Sequence, residues 1–168
     1  MTFWSEKEDI IEPVRPYRFK IMETGGNETG YWWWAKSATK PSFDVSKEEY
    51  QLINHKYKYP GILTWRDVSI KIIDYKHKEG TGPTKLHDIY KAIENSKYSH
   101  TSGDGLSKQK MSQNFVIEQL DADGNILEKW SLINAFIVSI DAGELSYDTE
   151  DLTSITLTVS YDTAELTQ

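Results

Sequence analysis

The segment from Trp130 to Asp162 predicts two neighbouring β-strands near the end of the chain. Its first run, Leu132 to Ile140, has apolar residues at both odd and even positions, so both faces of this strand would be apolar. The second run, Ile155 to Tyr161, alternates strictly between apolar residues and threonine or serine. A strand with two apolar faces needs a second partner besides its own core, which favours assembly over chemistry. The predicted faces of the first strand are Leu132, Phe136, Val138 and Ile140 on one side and Ile133, Ala135 and Ile137 on the other.

The composition predicts one globular domain, residues 1–168. The chain has 168 residues, of which 38% are hydrophobic and 27% charged, enough for a core of its own. It has no cysteine, which excludes disulfides and thiolate metal sites. We expect no membrane anchor, because no apolar run approaches the length of a span and the N-terminus lacks the pattern of a signal peptide.

The charge of the chain is acidic and unevenly distributed. A net charge of −7 argues against tight binding to nucleic-acid phosphates, which depends on lysine and arginine. The segment Asp141–Asp151 carries five acids and no base, whereas His55–Lys78 is basic. Two interpretations stay open: an acidic edge of one subunit meets a basic edge of the next, or the two segments are separate solvated loops.

The order of predicted elements is several strands, one helix, then several strands, which favours a mainly β fold: a β-sandwich or barrel with one flanking helix. The helix is predicted at residues 83–96, where Leu86, Ile89, Tyr90 and Ile93 form one apolar face. Residues 1–16 are predicted to be irregular, and Pro60–Gly61 predicts a turn. The predicted strands are Tyr17–Glu23, Tyr31–Lys36, Leu63–Asp74, Met111–Leu120, Ile126–Trp130, Leu132–Ile140 and Ile155–Tyr161.

No catalytic or cofactor motif stands out in the sequence. The four histidines are scattered without metal-ligand spacing, and the glycines near residue 26 do not form a dinucleotide fingerprint. Asp121-Ala-Asp-Gly-Asn is interpreted as a hairpin turn rather than the start of a calcium loop. Dispersed carboxylates such as Asp67, Glu118 and Asp148 could still meet in space. We therefore expect no enzyme, no cofactor and no metal.

The tryptophan triplet Trp32–Trp34 would place tryptophan on both faces of the second predicted strand. One interpretation is a mixture of core and subunit interface. The alternative is a stacking platform for bases or sugar rings, which usually comes with a basic groove that is missing from this segment. A ligand-binding β-sandwich that uses these tryptophans therefore remains a second hypothesis.

Two parts of the sequence carry a family resemblance. One is Trp130-Ser-Leu-Ile-Asn-Ala-Phe-Ile-Val-Ser-Ile-Asp-Ala-Gly-Glu-Leu-Ser-Tyr followed by Ile155–Asp162. The other begins with Lys40-Pro-Ser-Phe and continues through a Tyr/Lys-rich segment, Tyr59-Pro-Gly and Trp65-Arg-Asp-Val-Ser-Ile-Lys-Ile-Ile-Asp to the helix. Over residues 15–163 this order resembles the tail tube proteins of contractile-tailed bacteriophages, which are related to the tubes of type VI secretion and other contractile injection systems.

The resemblance implies a sandwich domain that forms rings of six copies, which stack into a hollow tail tube for genome delivery. It also implies that residues 43–63 form a hairpin that reaches the adjacent ring. The first fifteen residues and the tryptophan triplet are not part of the matching pattern. The expected subunit-interface residues are Tyr50, Leu52, Tyr57 and Tyr59 in this hairpin, together with Ile133 and Ile137 on the strand with two apolar faces and Trp33 in the tryptophan triplet.

The implied partners are further copies of the chain, the sheath protein, the baseplate tube-initiator, the tail terminator and the tape-measure protein. DNA would pass through the lumen without specific binding. The implied location is the virion tail, after assembly in the host cytoplasm. A baseplate tube-initiator and a tube protein of another injection system are the alternatives within this class.

Overall fold

The computed structural model describes residues 14–24, 30–76, 84–95, 113–148 and 150–167. Within these ranges the chain forms ten strands and one helix, so the predicted mainly β class with one helix is confirmed. The elements are β1 Phe19–Thr24, β2 Gly30–Tyr31, β3 Ala35–Ala38, β4 Ser42–Leu52, β5 His55–Arg66, β6 Val68–Ile73, α1 Lys85–Asn95, β7 Gln113–Leu120, β8 Ile126–Asp141, β9 Ser154–Ser160 and β10 Thr163–Thr167.

The 16-residue strand β8 is the centre of the fold. It belongs to an eight-stranded sheet with the order β2-β1-β7-β8-β9-β6-β3, in which β10 also pairs with β8. Its first half lies between β7 and β10, and its second half pairs with β9. Side chains from both halves of the sheet and from α1 form one hydrophobic core, which gives the sandwich-like arrangement.

A bend in β8 at Asn134 separates the two halves. Asn134 has a φ of 54°, in the left-handed region that asparagine tolerates better than most residues. The connection from β9 to β10 lies at the same level, where the Asp162 amide donates to the Ile133 carbonyl at 3.1 Å. The Asn134 side-chain amide also donates to the Asp162 carboxylate at 3.1 Å, so the bend of β8 and this connection are joined.

This bend makes the predicted faces of β8 wrong. Leu132 and Ala135 have opposite parity in sequence, but both are completely buried in the core because the bend interrupts the alternation. A second register shift between Ile137 and Ser139 lets Ile137 and Ile140 both pack against the same core. Much of the apolar excess of this strand therefore serves one core.

The pairing of β6 with β9 confirms the alternating patterns. Val68, Ile70 and Ile72 are buried, and they lie opposite Val159, Leu157 and Ile155, which are also buried. Each fully buried side chain of this kind contributes about 1.5–3 kcal/mol relative to an exposed one. The polar residues between them, the threonines of β9 among them, are half-buried.

Helix α1 lies within the predicted range, although residues 83 and 96 fall outside the described residues. Ile89 is buried, and Leu86 and Ile93 pack against the core, as predicted. Tyr90, predicted on the same face, is 63% exposed. The Asp74 carboxylate accepts a hydrogen bond from the Leu86 amide at 3.3 Å, which satisfies a free donor in the first turn of the helix.

Several predicted boundaries are wrong. The predicted strand Leu63–Asp74 is divided at Asp67 into the end of β5 and the whole of β6, whereas Ile126–Trp130 and Leu132–Ile140 form one strand. The tryptophan triplet lies between β2 and β3, with Trp33 and Trp34 in a turn, and not in a strand. Strand β10 was not predicted. Residues 1–13 of the predicted irregular segment lie outside the described residues.

Candidate assembly surface

The hairpin of β4 and β5 is exposed along nearly its whole length. The two strands pair only with each other, from Ser42 opposite Arg66 to Leu52 opposite His55. Every residue of β4 is exposed, and so is every residue of β5 except Trp65, which is half-buried. An 11-residue strand is about 35 Å long, so the hairpin extends well beyond its attachment. An isolated two-stranded hairpin is marginally stable, which points to a contact beyond its own subunit.

Aromatic and ionic contacts stabilise the base of the hairpin, and one of them joins it to the body. The Phe43 and Trp65 rings meet edge to face at 5.3 Å, and Trp65 lies 5.8 Å from the Tyr161 ring. Arg66 donates two hydrogen bonds to the Asp44 carboxylate, at 2.5 and 2.8 Å. These hydrogen bonds lower the pKa of Asp44 below its usual value. The attachment therefore has a defined geometry.

A bulge changes the character of the two hairpin faces midway. The pairing register shifts between Val45 and Lys47, where the Ile62 amide donates to the Ser46 hydroxyl at 2.8 Å. A Cβ at Gly61 would lie 2.3 Å from that hydroxyl oxygen, so glycine is needed for the close approach. Pro60 and Gly61 thus lie inside β5, and the predicted turn at this point is wrong. The turn is at Ile53–Asn54, where Ile53 has a φ of 52°.

Beyond the bulge, the predicted interface residues of the hairpin share one face. Tyr50 lies directly opposite Tyr57, while Leu52 pairs with His55 and Tyr59 pairs with Glu48. Because cross-strand partners lie on the same face and neighbours in sequence alternate, these side chains form one surface. We call Tyr50, Leu52, Tyr57 and Tyr59 the aromatic face; they are 45–60% exposed.

The opposite face of the same hairpin segment is charged. It carries Lys47, Lys56 and Lys58 around a single acid, Glu49. The Glu49 carboxylate lies 3.7 Å from the Lys47 ammonium and 3.9 Å from the Lys56 ammonium. We call these four residues the lysine face. The sequence shows its lysines, but only the cross-strand register shows that they lie opposite the tyrosines.

The other three predicted interface residues lie on other elements. Trp33, in the turn after β2, is 77% exposed and contacts the Tyr31 ring at 5.7 Å. Ile133 is half-buried at the bend of β8, and Ile137 packs against the core of its own subunit. The structure does not bring these residues into the aromatic face. Their role as interface residues stays a prediction.

The tryptophan triplet divides between core and surface. The Trp32 ring meets Phe115 edge to face at 5.6 Å, and its indole N–H donates to the Glu23 carboxylate at 3.1 Å. Trp34 is half exposed and lies 5.8 Å from the Tyr75 ring. The side chains of the triplet are therefore not stacked as a single platform for planar ligands.

The connection between β8 and β9 is an exposed acidic segment. It carries Asp141, Glu144, Asp148, Glu150 and Asp151, and its described residues from Asp141 to Thr153 are exposed. Leu145, Tyr147 and Leu152 are exposed as well. The sequence shows the acids, but no periodicity in it marks the large apolar side chains among them as a candidate surface. We call residues 141–153 the acidic connection.

An open groove of about 760 Å³ lies where β1, β7 and β8 approach β3. Phe19, Ile117 and Trp130 contribute apolar surface to it, and Lys40 pairs with Glu128 at 2.5 Å. Gln119, which also lines the groove, is buried; its Nε2 donates to the Arg15 carbonyl at 3.3 Å. The groove is mainly the open end of the sandwich.

In the described part of the chain, no group of three histidine, aspartate or glutamate side chains is placed to hold a metal ion. The Asp121 carboxylate accepts hydrogen bonds from the amides of Asp123 and Asn125, so it acts within its own turn. A hydrogen bond from the Asn125 side chain, together with these backbone bonds, lowers the pKa of Asp121. The helix that the structure describes is too short and too polar to cross a membrane.

No protein-family model matches the sequence, and no curated protein matches it significantly. Solved structures do match it. The anti-feeding prophage cap, a tube-terminating cap, has a TM-score of 0.71 and 16% identity over 99% of both chains. The sheath/tube terminator of the extracellular contractile injection system PVC, in its extended state, also has a TM-score of 0.71, with 17% identity over 95% of this chain and 100% of that one.

A chain of the PVC sheath–tube complex has a TM-score of 0.65 and 18% identity over 92% of this chain and 91% of that one. At these identities the likeness concerns the fold, and it confirms the predicted resemblance at that level. The chain has the fold shared by tube and tube-terminator proteins of contractile injection systems.

Proposed function

We propose that this protein is a structural subunit of the tube of a contractile injection system, in which copies of the chain form rings and the rings stack. The observation that carries the proposal is the exposed β4–β5 hairpin with its aromatic face, attached to a body with this fold. Six copies per ring is our expectation from the family resemblance.

The hairpin supports this proposal because its surface is suited to a protein partner. Tyrosine is enriched at protein interfaces, where its ring supplies contact area and its hydroxyl supplies a hydrogen bond. Tyr50 and Tyr57 expose their rings side by side on an element that makes no core of its own. A neighbouring ring would bury this surface, which is consistent with the predicted inter-ring role of residues 43–63.

A second candidate is the tube terminator, the ring that ends the tube. Two of the structures compared above are terminators, and they match this chain with a higher TM-score and coverage than the chain from the sheath–tube complex does. A terminator needs only one stacking face, whereas a tube subunit needs two.

Electron microscopy of the purified protein separates these roles. A tube subunit produces stacked rings that lengthen as the protein concentration rises. A terminator produces single rings that do not lengthen and that bind the ends of tubes made by its cognate tube protein. A monomer at all concentrations, with or without those tubes, contradicts both roles.

The sheath and baseplate proteins are the expected partners in either role, and binding of the assembled particle to purified sheath protein checks the first. A phage tail, the tape-measure protein and DNA in the lumen are expectations from the sequence resemblance. Analysis of the protein and nucleic-acid contents of native particles tests them: DNA together with a tape-measure protein supports a phage tail, and a protein cargo without DNA supports another injection system.

A further inference from the structure

The two faces of the hairpin have different chemistry, so a single flat partner surface cannot satisfy both. Beyond the bulge, the aromatic face is largely uncharged, whereas the lysine face carries three bases and one acid. The Glu49 carboxylate lies near Lys47 and Lys56, and one negative charge cannot balance three positive charges. The lysine face therefore has an excess of positive charge on an exposed element.

The acidic connection has the complementary properties. It combines five acids and no base with three large apolar side chains, and Leu145 is 87% exposed and Leu152 70% exposed. Large apolar side chains on one exposed segment offer contact area to a partner. Lysine side chains suit such a partner, because their methylene stems pack on apolar groups while their ammonium groups meet carboxylates.

These two surfaces do not meet within one subunit. Over the described residues, no ion pair or hydrogen bond joins the hairpin strands to the acidic connection; the ion pairs of the lysine face stay within the hairpin. Any pairing between the lysine face and the acidic connection is therefore between molecules.

We propose that the lysine face of the hairpin binds the acidic connection of a second copy of this chain. The proposal rests on the proposed function, which supplies the assembly in which copies meet. The aromatic face then contacts a different surface, so the hairpin lies between two surfaces of the assembly. An exposed ion pair contributes little alone, but opposite fields steer association, and the contact is repeated at every subunit of a ring.

Charge reversal on the lysine face tests the contribution of the hairpin to this contact. The variant with Lys56→Glu and Lys58→Glu should need at least about tenfold more protein for half-maximal assembly, measured by sedimentation and electron microscopy. The matched control is Lys76→Glu with Lys91→Glu, which changes two other exposed lysines and gives the same change in net charge. The control should assemble within about threefold of the wild type. Circular dichroism checks that both variants are folded.

Charge exchange tests the pairing itself. Glu144→Lys with Asp148→Lys should weaken assembly by a similar factor, because it places positive charge opposite the lysine face. A chain that carries all four reversals should regain assembly to within about threefold of the wild type, since the charges are exchanged and still opposite.

Three results would overturn the inference while the proposed function stands. They are unchanged assembly of the hairpin variant, an equal loss of assembly in the control variant, and no recovery of assembly in the variant with all four charge reversals. Lysine-dependent binding to DNA, with assembly unaffected by the reversals, would assign the lysine face to a nucleic acid instead. If the wild-type protein makes neither rings nor tubes, the proposed function itself fails.

Discussion

At the scale of single residues, Asn134 changes the direction of the longest strand of the fold. Its left-handed conformation turns β8 from one half of the sheet into the other and brings Leu132 and Ala135 into the same core. Strict alternation could not predict this, because one residue in the left-handed region changes the parity of everything after it. An asparagine among seven apolar residues is the signal that could have found the bend.

Replacement of Asn134 should therefore destabilise the fold. Asn134→Ala puts alanine at a φ of 54°, a conformation that alanine tolerates less well than asparagine, and it also removes the hydrogen bond to Asp162. We therefore expect a loss of about 1–3 kcal/mol in the free energy of unfolding. Asn134→Gly should lose less, because glycine accepts this conformation. Urea denaturation measures both; equal losses would show that the conformation of Asn134 contributes nothing.

The Asp44–Arg66 pair should give the base of the hairpin a pH dependence. Hydrogen bonds from Arg66 lower the pKa of Asp44 from 3.8. A carboxyl with a lowered pKa in the folded state stabilises that state above its unfolded pKa, and this contribution is lost as the pH falls through the folded pKa. We expect the NMR signals of Trp65 in the wild type to change below pH 3.8, and those of Asp44→Asn to lack this step. An identical pH profile in both proteins would contradict the assignment.

At the scale of elements, the hairpin shows what a family resemblance adds to local pattern. The resemblance implies a hairpin at residues 43–63, and the strands of the structure span Ser42–Leu52 and His55–Arg66. The position of the turn was wrong because proline and glycine usually end a strand, whereas here they accommodate a bulge. The separation of aromatic and lysine faces depends on cross-strand register, which local pattern does not contain.

The aromatic face should be needed for assembly and not for folding. The variant with Tyr50→Ser and Tyr57→Ser should keep the unfolding free energy within about 0.5 kcal/mol of the wild type, because both side chains are exposed, yet it should fail to form stacked rings. Tyr90→Ser is the control, since Tyr90 is a similarly exposed tyrosine on α1. Sedimentation and chemical denaturation measure the two properties. Normal stacking of the double variant would remove the aromatic face from the interface.

At the scale of the whole molecule, the fold depends on contacts between distant parts of the chain. The sheet order places β7, β8, β9 and β6 side by side, so segments far apart in sequence become neighbours. Composition and periodicity predicted the mainly β class and most core residues of β6 and β9. They could not predict that β10 pairs with the first half of β8, because Thr163–Thr167 contains only two apolar residues. The position of β10 in the sheet depends on its backbone pairing with β8.

The central claim is that the hairpin of one subunit contacts the adjacent ring. A cryo-electron microscopy reconstruction of assembled particles tests it most directly, because side-chain density shows what Tyr50 and Tyr57 touch. We predict density for β4 and β5 that leaves its own ring, with both tyrosines buried against subunits of the next ring. A map of stacked rings in which the hairpin contacts only its own ring, or remains in solvent, would contradict the account.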